Sequence, residues 1–222
     1  MFPGARGIDP ARTVVVGTIR PRSLFALGIV LLTLAIVSPT PIDPTVRASS
    51  PPVVLLVGDS LMLGAQSHGD LSARLRRAGV VPVVVARNGL STGRSAPVIQ
   101  QARRKQRIDL VVVALGTNDA MVGHVGAAFG RSLADVLAVT GRVPVLWVDV
   151  HATAFARDAR SVNAQLKKAA RRSSTMRLLT WSEAPGADSL IYDGVHLTPR
   201  GYRLRAKFII DAVKDALPRT GS

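Results

Sequence analysis

From Val53 onward the chain alternates between short apolar runs and longer helix-like stretches, and this alternation limits the fold more than any other feature. The runs at 53–57, 80–86, 110–115, 143–150 and 176–181 are rich in Val and Leu and unbroken by regular polar positions. Continuous apolar runs suit strands buried on both faces, as in a parallel sheet covered by helices. Helix-like stretches at 61–78, 96–107, 127–140 and 157–172 lie between them. A last helix has a defined start, since Thr198 can cap it and Pro199 fits its first turn. Its apolar positions Ala206, Ile209, Ile210, Val213 and Leu217 fall on one face. The pattern predicts an α/β chain with three layers, α/β/α, around a five-stranded parallel sheet. Its 222 residues, 47% of them apolar, suffice for one full core, and they show no internal repeat and no second domain.

Ahead of that domain stands a different kind of segment. Residues 23–38 carry no charge, and Arg6, Arg12, Arg20 and Arg22 precede them against a single acid, Asp9. Basic before apolar is the pattern of an export signal whose N-terminus stays in the cytoplasm. The apolar run falls between a signal-peptide core of ~7–15 residues and a bilayer span of ~20. Two outcomes are therefore open: a retained signal anchor, or cleavage after Val46-Arg47-Ala48, which lies far beyond the run. Residues 39–52 form a linker in which Pro39, Pro41, Pro44, Pro51 and Pro52 favour an extended path. The expected organisation is a basic cytoplasmic N-terminus at 1–22, a membrane or signal segment at 23–38, the linker at 39–52 and one domain at 53–218. The domain is expected outside the cytoplasm, anchored at the membrane or secreted.

The formal net charge of +15 sits largely in helix-like stretches such as Arg103-Arg104-Lys105 and Lys167-Lys168 with Arg171-Arg172, which read first as solvated helix faces; the functional alternative is attraction to anionic lipid headgroups or acidic wall polymers. Nucleic acid is not expected, because aromatic residues are only 4% of the chain, no nucleic-acid motif is present and export would separate the two. The absence of cysteine excludes a disulfide scaffold, a thiol nucleophile, a zinc–thiolate site and a lipidated cysteine.

Gly58-Asp59-Ser60-Leu61 follows directly on the first apolar run, and Asp193-Gly194-Val195-His196 stands before the last helix. A serine hydroxyl is a poor nucleophile at neutral pH unless a base lies within hydrogen-bond reach and a third group orients that base. Ser60, His196 and Asp193 supply those three parts, with Ser60 expected at the carboxyl edge of the sheet. Taken singly, Ser60 reads as a helix cap and Asn118 as a turn residue. The other histidines, His68, His124 and His151, lack an acid three residues before them.

With Gly116-Thr117-Asn118-Asp119 between them, these blocks resemble the SGNH (GDSL-type) hydrolases in order and spacing. That resemblance covers the chain beyond the linker and implies a flavodoxin-like fold and a serine ester hydrolase or O-acyltransferase needing no metal or cofactor. It implies Ser60 as nucleophile, His196 as general base and Asp193 as its orienting acid. It implies an oxyanion hole from the Ser60 N–H, the Asn118 side chain and a glycine N–H, supplied by Gly89 or Gly93. Gly93 is preferred, because Thr92-Gly93-Arg94-Ser95 best matches the small-Gly-polar-hydroxyl pattern. Asp59 is expected to brace the loop, and Arg94 and His151 to contact substrate, with Asp149 beside them on the same edge. The run Gly58 through Ala65 also looks like the extracytoplasmic domains of peptidoglycan O-acetyltransferases, which favours O-acetyl groups of envelope glycans as substrate. Transfer would then need a separate membrane acyltransferase as acyl donor. The alternatives are a lysophospholipase or short-chain lipase, and a non-catalytic envelope-binding protein on the same fold.

Overall fold

The computed structural model describes residues 50–218, and the expected membrane segment, basic N-terminus and most of the linker lie outside them. Five parallel strands form one sheet: β1 (Val53–Gly58), β2 (Val81–Ala86), β3 (Leu110–Ala114), β4 (Val145–Val148) and β5 (Met176–Leu179). Their spatial order is β2-β1-β3-β4-β5. Gly58 aligns with Ala86 on one side and Ala114 on the other, so three strand ends reach the carboxyl edge in register.

Among the described residues seven helices accompany the sheet: α1 (Ser60–Gly69), α2 (Leu71–Arg77), α3 (Ala96–Lys105), α4 (Thr117–Met121), α5 (Gly126–Thr140), α6 (Ala156–Arg172) and α7 (Pro199–Ala216). Alternation along the strands divides the core in two. Val54, Leu56, Val112 and Val148 pack under α1, α2 and α7 through Leu61, Leu75, Ala206 and Ile209. Leu55, Val57, Val113 and Trp147 face the other way, onto Ile99, Phe129, Val136 and Leu166 of α3, α5 and α6. Among the described residues no helix is long and apolar enough to cross a membrane.

The expected helix at 61–78 is two helices. The break is Asp70, the one non-glycine described residue at positive φ (50°). Close packing explains it: a Cβ on Gly69 would stand 2.4 Å from the Ala206 Cβ, and one on Gly64 would stand 2.0 Å from the Tyr202 ring. Helix α1 thus presses its glycines against α7, and the chain turns at Asp70 to continue over the sheet. Strand β2 also departs from expectation, because it is an edge strand with Val81 and Val84 about two-fifths exposed. Valine richness is shared by edge and central strands and does not tell them apart.

Candidate active site

Open α/β sheets bind ligands where the strand order reverses, outside the carboxyl ends of the strands. Here that point lies between β1 and β3. Ser60 follows β1, Asn118 follows β3, and the loop after β2 carries Gly93 beside them.

Asp59 caps α1, accepting the Leu61 N–H at 2.9 Å, and this fixes Ser60 as the first helical residue. The Ser60 N–H therefore points out of the helix start, with no protein acceptor among the described residues. The same holds for the Gly93 N–H, in a 3₁₀ turn at Thr92–Arg94.

His196 is held by a tight loop. Asp193 Oδ1 accepts the N–H groups of Val195 at 2.9 Å and His196 at 2.6 Å, while Oδ2 lies 2.8 Å from His196 Nδ1. Tyr192 N–H donates to the His196 carbonyl at 3.0 Å. Gly194, at φ 87°, accepts from Thr153 and Ala154, and a Cβ there would meet the Ala154 Cβ at 2.8 Å. His196 Nε2 reaches Ser60 Oγ at 3.1 Å. Hydrogen bonds from the His196 backbone and ring hold the Asp193 carboxyl down to about 2, so it is ionised and only accepts. The ring proton then sits on Nδ1, and Nε2 is left to accept the Ser60 hydroxyl proton. That is the geometry of a nucleophile with its base and orienting acid.

The Asn118 amide nitrogen donates to Asp59 Oδ2 at 3.0 Å and to the Leu90 carbonyl at 3.3 Å. The resemblance assigns this side chain to the oxyanion hole, and in the structure both of its N–H groups already have protein acceptors. The longer Leu90 bond is the one that can yield to an oxyanion. Asp119, next in the chain, is 1% exposed and accepts both the N–H and the hydroxyl of Thr92 at 2.9 Å. One block after β3 thus ties down both the serine loop and the glycine turn. Gly89 instead occupies an open turn at φ 68° with nothing near its missing side chain.

Arg94 and His151 sit differently from expectation. The Arg94 guanidinium, though exposed, donates to the Gly89 carbonyl and the Ser91 hydroxyl and so staples its own loop. His151 Nε2 lies 2.9 Å from Asp188 Oδ1, in the wall of a cavity of about 630 Å³ that Ser60, Asp193 and His196 do not line. Asp149 is buried and accepts both the N–H and the hydroxyl of Ser182, which makes it a brace for the segment after β5. Burial raises its carboxyl above the usual range.

Arg205, Tyr192 and the Ser132–His124 pair are not among the residues that the sequence motifs single out. Arg205 is 2% exposed, stacks over Trp181 at 5.5 Å, and its charge favours ionised Asp59 and Asp149. The signal was there: a cation inside the apolar stripe of α7. Tyr192 stacks near the His196 ring at 6.3 Å between centroids. Ser132 takes a hydrogen bond with His124 at 3.1 Å and backs Gly93. Among the described residues no group of His, Asp and Glu is gathered to hold a metal ion.

Burial pushes the Asp59 carboxyl up to about 6, against the opposing pull of the Leu61 N–H and Arg205. The folded value exceeds the unfolded one of 3.8, so the native state keeps a proton that the unfolded chain releases between them. Asp59 therefore favours folding most below pH about 4, and that contribution is lost as pH rises through about 6. The unfolding free energy of the parent relative to Asp59→Asn is expected to fall by up to about 3 kcal/mol across that window and level off above it. Urea titrations from about pH 4 to about pH 8 measure this; a flat difference would mean that Asp59 titrates as an ordinary carboxylate.

The profile of the GDSL-like Lipase/Acylhydrolase family matches residues 56–204. No curated protein sequence matches the chain. Among solved structures, a lipolytic protein of the G-D-S-L family from Veillonella parvula superposes with a TM-score of 0.63 at 20% identity, covering 74% of this chain and 99% of the other. A lipase/acylhydrolase from Enterococcus faecalis gives 0.64 at 18%, covering 77% and 100%. The psychrotrophic esterase EstA from a Pseudoalteromonas species gives 0.60 at 14%, covering 73% and 97%. At these identities the superpositions show a shared fold, and the family profile covers both the serine block and the histidine block. The chain belongs to the GDSL-like lipase/acylhydrolase family of serine ester hydrolases.

Proposed function

We propose that the chain is an exported esterase that cleaves O-acetyl groups from cell-envelope glycans, or transfers them, through an acyl-enzyme on Ser60. The observation that supports the serine ester chemistry in this reading is the continuous path from Asp193 through His196 to Ser60, at 2.8 Å and 3.1 Å, beside two unengaged backbone N–H groups. Ser60 Oγ attacks the ester carbonyl carbon while His196 Nε2 takes its proton. The carbonyl oxygen becomes an oxyanion that the Ser60 and Gly93 N–H groups bind, with Asn118 turning one N–H from Leu90 toward it. Collapse expels the alcohol, which leaves with the proton from His196, and Ser60 holds the acyl group. Water, or the hydroxyl of an acceptor, then loses its proton to His196 and attacks the acyl carbon, returning Ser60.

The exposure of the site favours an ester carried on a bulky hydrated chain. Ser60 and His196 are half-exposed, and the Asp193 side chain is 39% exposed, which leaves room for a polymer around the ester. Export rests on the charge and hydropathy of residues 1–38. A short-chain lipase is the second reading, supported by the exposed apolar residues Met121, Val122 and Tyr192 near Asn118 and His196. Turnover of p-nitrophenyl esters from acetyl to octanoyl separates the two. The acetyl ester is expected to give the highest kcat/KM, and a preference for octanoyl would favour the lipase.

A further inference from the structure

Six cations, Arg157, Arg160, Lys167, Lys168, Arg171 and Arg172, lie on one side of α6, within about 140° of the helix circumference. All six are exposed, whereas Ala159, Val162 and Leu166 on the opposite side are buried. The only acid in the helix, Asp158, falls outside that arc. From outside, Glu183 reaches Lys167 at 3.6 Å, an exposed pair that solvent screens.

Helix stability does not account for this ridge. Lys167 and Arg171, and Lys168 and Arg172, are like charges four residues apart, which repel. Arg157 stands in the first turn, where the helix dipole disfavours a cation. Only Arg171 and Arg172 gain from that dipole. A merely solvated face would intersperse acids with these bases.

The ridge has a fixed relation to the reaction centre. Thr153 and Ala154, just before α6, donate to the Gly194 carbonyl at 2.9 and 3.1 Å, and Gly194 belongs to the loop that carries His196. From Arg157 the cations run away from that loop for ~22 Å, at ~5.4 Å per turn. Hollows flank them: the cavity of about 630 Å³ at Arg160 and Lys167, and one of about 390 Å³ at Lys167, Lys168, Arg171 and Arg172.

We propose that this ridge is a docking track for an anionic polymer bearing esters, its carboxylate or phosphate groups laid along α6 and its esterified unit at Ser60. The proposal rests on the esterase reading above and specifies its substrate as a polyanion. A linear polymer presents one charge per repeat to successive turns of the helix. Its pairing with the ridge removes the like-charge repulsion within α6.

The test compares the full chain with a variant carrying K167Q, K168Q, R171Q and R172Q. Substrates are O-acetylated polygalacturonate, O-acetylated glucomannan as its neutral counterpart, and p-nitrophenyl acetate. The variant is expected to show a roughly tenfold higher KM on the polygalacturonate with kcat unchanged. Both constants on the two neutral substrates should stay as in the parent. Salt should raise the parent's KM on the polygalacturonate alone. An unchanged KM there overturns the track. If the chain cleaves none of these esters, the esterase reading fails, and direct binding still decides the track. Calorimetry at low salt, with the Ser60→Ala chain and either unacetylated polygalacturonate or polyphosphate, should show affinity that the four substitutions weaken roughly tenfold. The tighter polymer of the two identifies carboxylate or phosphate as the group read. Equal affinity with and without the substitutions, or binding to anionic vesicles and to neither polymer, overturns the proposal.

Discussion

Ser60→Ala and His196→Ala are each expected to lower kcat/KM on p-nitrophenyl acetate by at least about 10⁴-fold, and the double variant to lose no more than either one alone. The two side chains act as one unit: Nε2 has no proton to take without the hydroxyl, and the hydroxyl has no base without the ring. Neither change should unfold the protein. Among the described residues Ser60 Oγ has one protein partner, His196 Nε2, and it sits half-exposed at a helix start whose cap is Asp59. Removing the His196 ring takes one bond from Asp193, which keeps the two backbone N–H groups on Oδ1. Urea midpoints of all three variants should therefore stay near that of the parent. A residual rate above water is expected from the backbone N–H groups alone. Unchanged turnover in both single variants would remove Ser60 and His196 from the chemistry.

What could be read from the residues divides along physical lines. β1 and β3 are fully legible because an unbroken run such as Leu55, Leu56 and Val57 has nowhere to go but between two helical layers. The edge position of β2 is not legible, since Val83 and Val85 look the same in either place. Asp70 hides the break between α1 and α2, because its left-handed backbone comes from the contact of Gly69 with α7, far along the chain. α4 is five residues long and carries too little periodicity to separate from a turn. In the site, Asp193 and His196 are legible because their bond closes within one loop. Asp119 and Thr92 are not, because their pairing depends on β2 and β3 flanking β1. Arg205 is half legible: its place among Tyr202, Ala206 and Ile209 marks a cation on the buried face, but the acids near it, Asp59 and Asp149, come from the ends of β1 and β4. The expected membrane segment falls outside the described residues.

Asn118→Ala is expected to lower kcat by about 10² to 10³ with little change in KM. The amide can contribute to catalysis only if an N–H reaches the oxyanion, and in the free structure both N–H groups already have acceptors, Asp59 and Leu90. Exchange of the 3.3 Å bond to Leu90 for one to a full negative charge favours the transition state over bound ester, whose carbonyl oxygen is a weaker acceptor. The loss should therefore appear in kcat. A second consequence separates this from a purely structural role. Without the amide, Asp59 Oδ2 loses a donor in a fully buried position, so the Asp59 carboxyl should rise beyond about 6. Asn118→Asp would leave two carboxyl groups facing each other and should cost both stability and kcat. Asn118→Ala should show a fall in kcat at every pH and a displaced pH dependence of stability. A large rise in KM with normal kcat would instead make Asn118 a ligand for the ground-state substrate, and the two backbone N–H groups would then have to bind the oxyanion unaided.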